Sequence, residues 1–195
     1  MRLVLASTSS IRRELLTRSG LVFEAVRPDV DEDELKRGAK GLSPGDLALA
    51  LAAAKAVSVT NRMPGTLVIG ADQVLNLAGR TFDKPASPAA ARDQLSQLRG
   101  RSHVLETALC CAADGKVVWQ HLGQATLVMR LFSDAFLDDY MARTGSDVTT
   151  SVGGYKLEGL GIQLFESIAG DYFTILGLPL LPLLDYLRRK GAIAA

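Results

Sequence analysis

Two histidines, two cysteines and 6% aromatic residues leave this 195-residue chain little from which to build zinc centres, disulfide frameworks or base-stacking platforms. The cysteines, Cys110 and Cys111, are neighbours in an apolar run with no third thiol to pair with, so no disulfide framework is available. Without ligand-spaced His or Cys they also make a poor zinc site, and reduced, buried thiols fit the cytoplasm. Charge of one sign is missing as well. Lys and Arg number 22 against 21 Asp and Glu, a formal net charge of +1. No global field is available to hold a nucleic-acid polymer, so an anionic ligand needs a local cluster of cations, which favours a small molecule. Long hydrophobic runs are absent too. Met1–Ala6 is too short for a signal peptide before Ser7, and Leu176–Leu187 carries two prolines and an Asp and is too short to cross a bilayer. A soluble protein with no membrane partner is expected.

The 48% hydrophobic content supplies the core of a single domain spanning residues 1–195. Leu3–Ala6 suits a buried strand, followed by a hydroxyl-rich turn and a helix from Ile11 to about Arg18. Val22–Val26 suits a strand, and Asp29–Glu34 reads as an acidic loop. Ser43-Pro44-Gly45-Asp46 opens a helix that runs to about Asn61. Thr66–Ala71 suits a strand ending at Asp72, and Leu77–Arg80 a turn leading to Asp83-Lys84-Pro85. A helix follows Ser87-Pro88 and ends at Gly100. Asp114-Gly115 then joins two long strands, Val104–Ala113 and Lys116–Leu131. Ser133 caps a helix to about Arg143, a glycine-rich stretch precedes a strand over Ile162–Ile168, and Leu178–Lys190 is a final amphipathic helix. Intermixed strands and helices predict an α/β fold with a mixed sheet.

Four constellations carry candidate chemistry. Ser7-Thr8-Ser9-Ser10-Ile11-Arg12-Arg13 places hydroxyls, free N–H groups and guanidinium groups at a helix N-terminus, where anions bind; an ordinary serine cap with exposed arginines is the bland alternative. Gly70-Ala71-Asp72-Gln73 places an acid beyond an apolar strand, where it can bind Mg²⁺ or orient a water, or simply satisfy turn amides. Lys55 and Lys84 are point charges suited to phosphate, although solvated surface lysines are the ordinary reading. Gly153–Gly161 has four glycines in nine residues, permitting close backbone approach to a ligand, without the spacing of a Walker loop.

Taken in order, these segments resemble the Maf family of nucleotide pyrophosphatases. Leu5 through Leu16 is similar to the family's opening LAS-x-S-P-x-R-R-x-LL, Gly70-Ala71-Asp72 to its strand-end G-[AS]-D, and Lys84-Pro85 to its K-P pair. Gly153–Gly161 and Gly177-Leu178-Pro179-Leu180 match its C-terminal pattern. The resemblance implies a mixed twisted sheet flanked by helices, with two lobes around a central cleft as in ITPase-like folds. It implies hydrolysis of a nucleoside triphosphate to the monophosphate and pyrophosphate, with Mg²⁺ or Mn²⁺ as cofactor and a homodimeric assembly.

Carried over by position, Asp72 resembles the catalytic acid, and Ser7, Arg12, Arg13, Lys55 and Lys84 the phosphate-binding set. Asp31 and Glu32 fall where the family has a functional acid, and with Asp72 they are the candidate metal ligands. Ile11, Gln73 and Glu158 stand at positions where subgroups differ in substrate. Ser10 replaces the usual proline, and Glu158 replaces the glutamine typical of members that cleave dTTP and UTP. Gln73 and Lys156-Leu157-Glu158-Gly159 are similar to the subgroup that acts on 7-methyl-GTP, and a carboxylate can accept the N1–H and exocyclic amine of guanine. That subgroup often carries a large aromatic where this chain has Ile11. The alternatives are a dTTP/UTP pyrophosphatase and a non-catalytic nucleotide-binding regulator of cell division.

Overall fold

Alternation in Leu3-Val4-Leu5-Ala6 sends Leu3 and Leu5 to one face of a strand and Val4 and Ala6 to the other, and all four are buried. Both faces must therefore be covered. In the computed structural model, which describes residues 1–194, strand β1 (Arg2–Ala6) leads into α1 (Ser10–Arg18), β2 (Phe23–Val26), α2 (Glu32–Gly38), α3 (Pro44–Thr60) and the long β3 (Thr66–Leu77). Then come β4 (Arg80–Phe82), α4 (Pro88–Leu98), β5 (Ser102–Ala113), β6 (Lys116–Met129) and α5 (Asp134–Thr144). Three short 3-10 turns lie between α5 and β7 (Phe165–Ala169), and the described chain closes with α6 (Tyr172–Ile175) and α7 (Leu180–Arg189). Among the described residues the strands form one mixed sheet in the order β2-β1-β3-β5-β6-β7, with β4 paired to β3. β1 runs parallel to β2 and β3, whereas β5, β6 and β7 pair antiparallel.

Helix α3 covers one face, packing Ala48, Ala52, Ala56 and Val59 on Val4, Ala6, Val68, Ala108, Cys110 and Ala112. Helices α1 and α7 cover the other, where Leu15, Leu16, Leu183 and Leu187 meet Leu3, Leu5, Leu67, Ile69, Leu109 and Cys111. The adjacent cysteines thus point to opposite faces, both buried and free, and burial raises both thiols, Cys110 to about 12. A further core lies along the same long strands, with Leu75, Leu77, Phe82, Leu95, Leu98, Leu105, Leu127, Tyr140 and Tyr155 gathered under α4 and α5. The sheet thereby joins two lobes. No helix among the described residues is long and apolar enough to cross a membrane.

Gly70 sets how closely α3 lies on the sheet. A Cβ there would stand 2.2 Å from the carbonyl oxygen of Ala52 and 2.9 Å from the amide nitrogen of Ala56. Only a hydrogen fits, so the helix rests on the strand backbone and brings Lys55 down to the floor of the sheet.

Four segments depart from the expectation. Strand β3 does not end at Asp72 but continues to Leu77, because Val74, Leu75 and Leu77 extend the buried run and β5 pairs with it from Val68 to Asn76. The acidic loop is partly a helix: Asp31 caps α2 by accepting from the Glu34 N–H at 2.8 Å. Its Asp-x-x-Glu spacing is a capping-box signal, masked by the lack of an apolar stripe. The strand expected over Ile162–Ile168 starts only at Phe165, after a 3-10 turn over Leu160–Leu164. A Cβ on Gly161 would lie 2.4 Å from the Lys156 carbonyl oxygen, a crowding compatible with a tight turn. The last helix starts at Leu180 rather than Leu178, and the short α6, capped by the Asp171 carboxylate, precedes it.

His103 is buried in the second lobe, its Nε2 2.7 Å from the Tyr155 hydroxyl oxygen and its Nδ1 without a protein partner. Burial drops its pKa from 6.5 to about 4. The unfolded chain therefore binds the proton first on acidification. Stability from keeping this ring neutral is complete above pH 6.5 and is lost as pH falls towards 4, a loss of roughly 3 kcal/mol. His103→Leu should lack that component, giving a shallower decline between pH 7 and pH 4.5 in urea unfolding; equal slopes for the two proteins would refute it.

Candidate active site

β1 ends at Ala6, opposite Gly70 of the parallel β3, so Asp72 stands just past the carboxyl end of β1. Ser7 follows β1 at that point. Its Oγ accepts the Ser9 N–H at 3.1 Å, and the Ser9 Oγ accepts the Arg12 N–H at 3.4 Å, organising the start of α1. Arg12 reaches from α1 across to the sheet. Its Nε donates to the Gly177 carbonyl at 2.8 Å and its Nη1 to the Ala71 carbonyl at 2.9 Å. Gly177 takes a left-handed backbone (φ 90°), which disfavours any side chain there, and it lies against the guanidinium of Arg12. One arginine thus ties the first helix, the central strand and the segment before α7 together.

Lys55, buried on α3, places its Nζ 2.5 Å from Asp72 Oδ1 and 2.9 Å from Glu32 Oε1. Asp72 is itself buried. Burial lowers the Arg12 pKa, opposed by the charges of Asp72 and Glu32. Burial also lowers Lys84, reinforced by Arg12 and Lys55 and opposed by Glu32 and Asp72. Lys84 is an exposed residue, and the charges of Glu32 and Asp72 act on it. Arg12, Lys55 and Lys84 thus share an electrostatic environment with Asp72 and Glu32.

The remaining sequence candidates are placed differently. Arg13 is exposed on α1. Asp31 is exposed and its carboxylate caps α2, so it does not join Glu32 and Asp72 as a metal ligand. Ile11 packs against the core under α1 and α7. Gln73, next to Asp72 on a strand, points to the other face, and its Nε2 donates to Thr107 Oγ1 and to the carbonyls of Thr174 and Ile175 at 2.9–3.1 Å. It anchors the segment leading to Gly177. Glu158 is exposed in the second lobe, beside a small pocket shared with Tyr140, Thr144, Asp147 and Lys156. Among the described residues it makes no hydrogen bond or ion pair to the Asp72 cluster.

Two charged groups escaped the sequence reading. Glu106 is buried on β5, diagonally across the strand pair from Asp72 on the same face, and accepts from Asn76 and Gln124 at 3.3 and 2.8 Å. A lone acid inside the apolar run of β5 was its signal. Lys36 pairs with Asp83, and it also senses Glu32 and Asp72; although burial pulls its pKa down, these acids raise it overall. Nothing local in the sequence distinguishes it from a surface lysine.

No group of three or more His, Cys, Asp or Glu residues is assembled to hold a metal among the described residues. The two carboxylates that share Lys55 are the available oxygen donors.

The family model described as Maf-like protein matches residues 2–190. The chain is 50% identical over 194 residues to a protein of Mesorhizobium japonicum named 7-methyl-GTP pyrophosphatase, covering 98% of each. It is 52% identical over 191 residues to one of Caulobacter vibrioides named nucleoside triphosphate pyrophosphatase, covering 97% of this chain and 96% of the relative. Among solved structures, a HAM1 protein from Coxiella burnetii matches 68% of this chain and 74% of its own at 16% identity, with a TM-score of 0.45.

Lys55 is buried against two acids, so removing its charge leaves them uncompensated. Lys55→Met should lower unfolding free energy at neutral pH by about 3 kcal/mol, and adding Asp72→Asn should recover much of it. Urea unfolding of the single and double variants checks this; a single variant as stable as wild type would contradict it.

Proposed function

The chain belongs to the Maf-like protein family, and from that premise we propose that it is a nucleoside triphosphate pyrophosphatase, releasing nucleoside monophosphate and pyrophosphate. The observation that carries this reading is Lys55 bridging Asp72 and Glu32 beside Arg12 and Lys84. A carboxylate within a cationic cluster suits hydrolysis of a phosphoanhydride.

The triphosphate lies along the start of α1, with its oxygens met by the Ser7 hydroxyl and the cations of Arg12, Lys55 and Lys84. Lys55 occupies Asp72 Oδ1, leaving Oδ2 to orient a water towards the α-phosphorus. The water oxygen bonds to that phosphorus, the α–β bridging bond breaks, and the bridging oxygen leaves with pyrophosphate. Asp72 takes the water's proton, and Arg12 and Lys84 offset the charge gathering on the leaving group. Glu32 and Asp72 are hard oxygen donors and fit Mg²⁺ or Mn²⁺, which binds through one or two carboxylates together with substrate phosphates rather than in an all-protein cage. Such an ion neutralises phosphate charge when bound.

For the base, 7-methyl-GTP is the substrate we favour. A relative 50% identical carries that name, as does a second, from Rhizobium meliloti, at 49%. Glu158 makes no ion pair among the described residues, and its carboxylate is the group we assign to the guanine N1–H and exocyclic amine.

Pyrophosphate release from a panel of 7-methyl-GTP, GTP, UTP and dTTP with Mg²⁺ tests both levels. Asp72→Asn should cut kcat by about 10²–10⁴-fold while nucleotide binding persists. Glu158→Gln should erode the preference for 7-methyl-GTP. Unchanged turnover in the first variant removes Asp72 from the chemistry, an unchanged preference in the second removes Glu158 from base reading, and a wild-type preference for dTTP or UTP overturns the choice of base.

A further inference from the structure

Helix α2 has no buried side chain. Apolar packing therefore contributes little to its position. Two ion pairs hold it instead, made by residues four apart and so on one side of the helix. Glu32 meets Lys55 on α3, and Lys36 meets Asp83 just after β4. These anchors belong to different lobes: α3 packs into the core around Val68 and Ala108, whereas Phe82, next to Asp83, packs into the core around Leu75 and Leu95. The short helix thus bridges the two lobes, and the charge of Asp72 acts on Lys36.

Asp83 precedes Lys84. Its carbonyl accepts from Gln94 of α4 at 2.9 Å and its carboxylate is held by Lys36 of α2. Pro85 follows Lys84 and restricts that residue to extended backbone. The backbone leading to the Lys84 ammonium is consequently fixed from both sides.

We propose that Lys36 and Asp83 form a cross-cleft clasp that positions Lys84 and Glu32 over the bound triphosphate, an assignment that rests on the nucleotide pyrophosphatase reading. Both are positioning residues. Asp83 is largely exposed, and partly exposed pairs of this kind are weak and screened by salt. A weak pair suits a clasp that must open for substrate to enter and product to leave. Asp83 also cancels the charge of Lys36, so the clasp adds order to the cleft without adding net charge.

The test compares Lys36→Glu, Asp83→Lys and the double exchange with wild type, using the nucleotide the wild-type protein hydrolyses fastest. Asp83→Lys makes the cleft more positive. If charge alone mattered, KM for an anionic substrate would fall; the clasp requires it to rise, by about fivefold, the scale of one surface pair. Lys36→Glu should raise KM similarly, and the double exchange should restore it to within about twofold, with kcat much less affected and melting temperatures close to wild type. A fall in KM for Asp83→Lys, or no restoration in the double exchange, overturns the clasp. Should the wild-type chain hydrolyse no nucleotide, the functional reading fails by itself, and the clasp is judged by amide hydrogen exchange. Residues 32–38 should exchange faster in each single variant and return to the wild-type rate in the double, and identical rates in all four proteins overturn it.

Discussion

The contact of α3 with β3 at Gly70 governs the site. A helix backbone resting directly on a strand brings the Lys55 ammonium to Asp72 at 2.5 Å, in a place where neither group is well hydrated. A buried ion pair of this kind offsets its desolvation only when geometry and further partners are good. Here Glu32 supplies a second acid for the same ammonium. Any larger residue at position 70 would lift α3, and a shift of about an ångström at Lys55 is enough to weaken both interactions. The close approach at Gly70 and the candidate catalytic acid are two residues apart for this reason.

Around that pair, the cluster divides by how firmly its members are held. Asp72 lies on the central strand, Lys55 on the longest helix, and Arg12 is tied to two backbone carbonyls. These groups are set by the core. Glu32 and Lys84 are set by a seven-residue helix without a buried side chain and by a loop before proline. Rigid groups suit chemistry that tolerates little displacement, and lightly held ones suit a cleft that must admit and release a charged ligand.

Much of the scaffold was legible in the sequence because it depends on local signals. Ser43-Pro44 and Ser87-Pro88 start helices as their caps dictate, and Asp114-Gly115 joins β5 to β6. The unbroken apolar run Leu3–Ala6 marked a buried strand. Ser7, Arg12, Asp72 and Lys84 lie in the segments that carry the resemblance and Glu32 and Lys55 were carried over by position; of these, Lys55 meets Asp72 and Glu32 directly. The failures have a common physical cause: they depended on facts not local to the segment. Strand β3 continues past Asp72 because β5 supplies a partner there. Asp31 and Glu32 look alike in an acidic run, yet one turns to cap its own helix and the other to Lys55. Gln73 adjoins Asp72 in sequence, but strand geometry sends it to the opposite face, where Thr107, Thr174 and Ile175 occupy its amide. Lys36 acquires meaning only from its tertiary neighbours.

The near balance of charge is also informative. A site with many unpaired cations would bind a triphosphate strongly but would hold pyrophosphate nearly as well, and turnover would stall at release. Here the Lys55 cation is already engaged by two carboxylates, Asp72 and Glu32. A phosphate that engages Lys55 must exchange one set of ion pairs for another, so its net gain is smaller than the Coulomb energy of contact suggests. On the proposed reading, Asp72 Oδ2 stays open to the attacking water while Lys55 holds Oδ1. The Lys55 bridge thereby limits product affinity as well as fixing the orientation of Asp72.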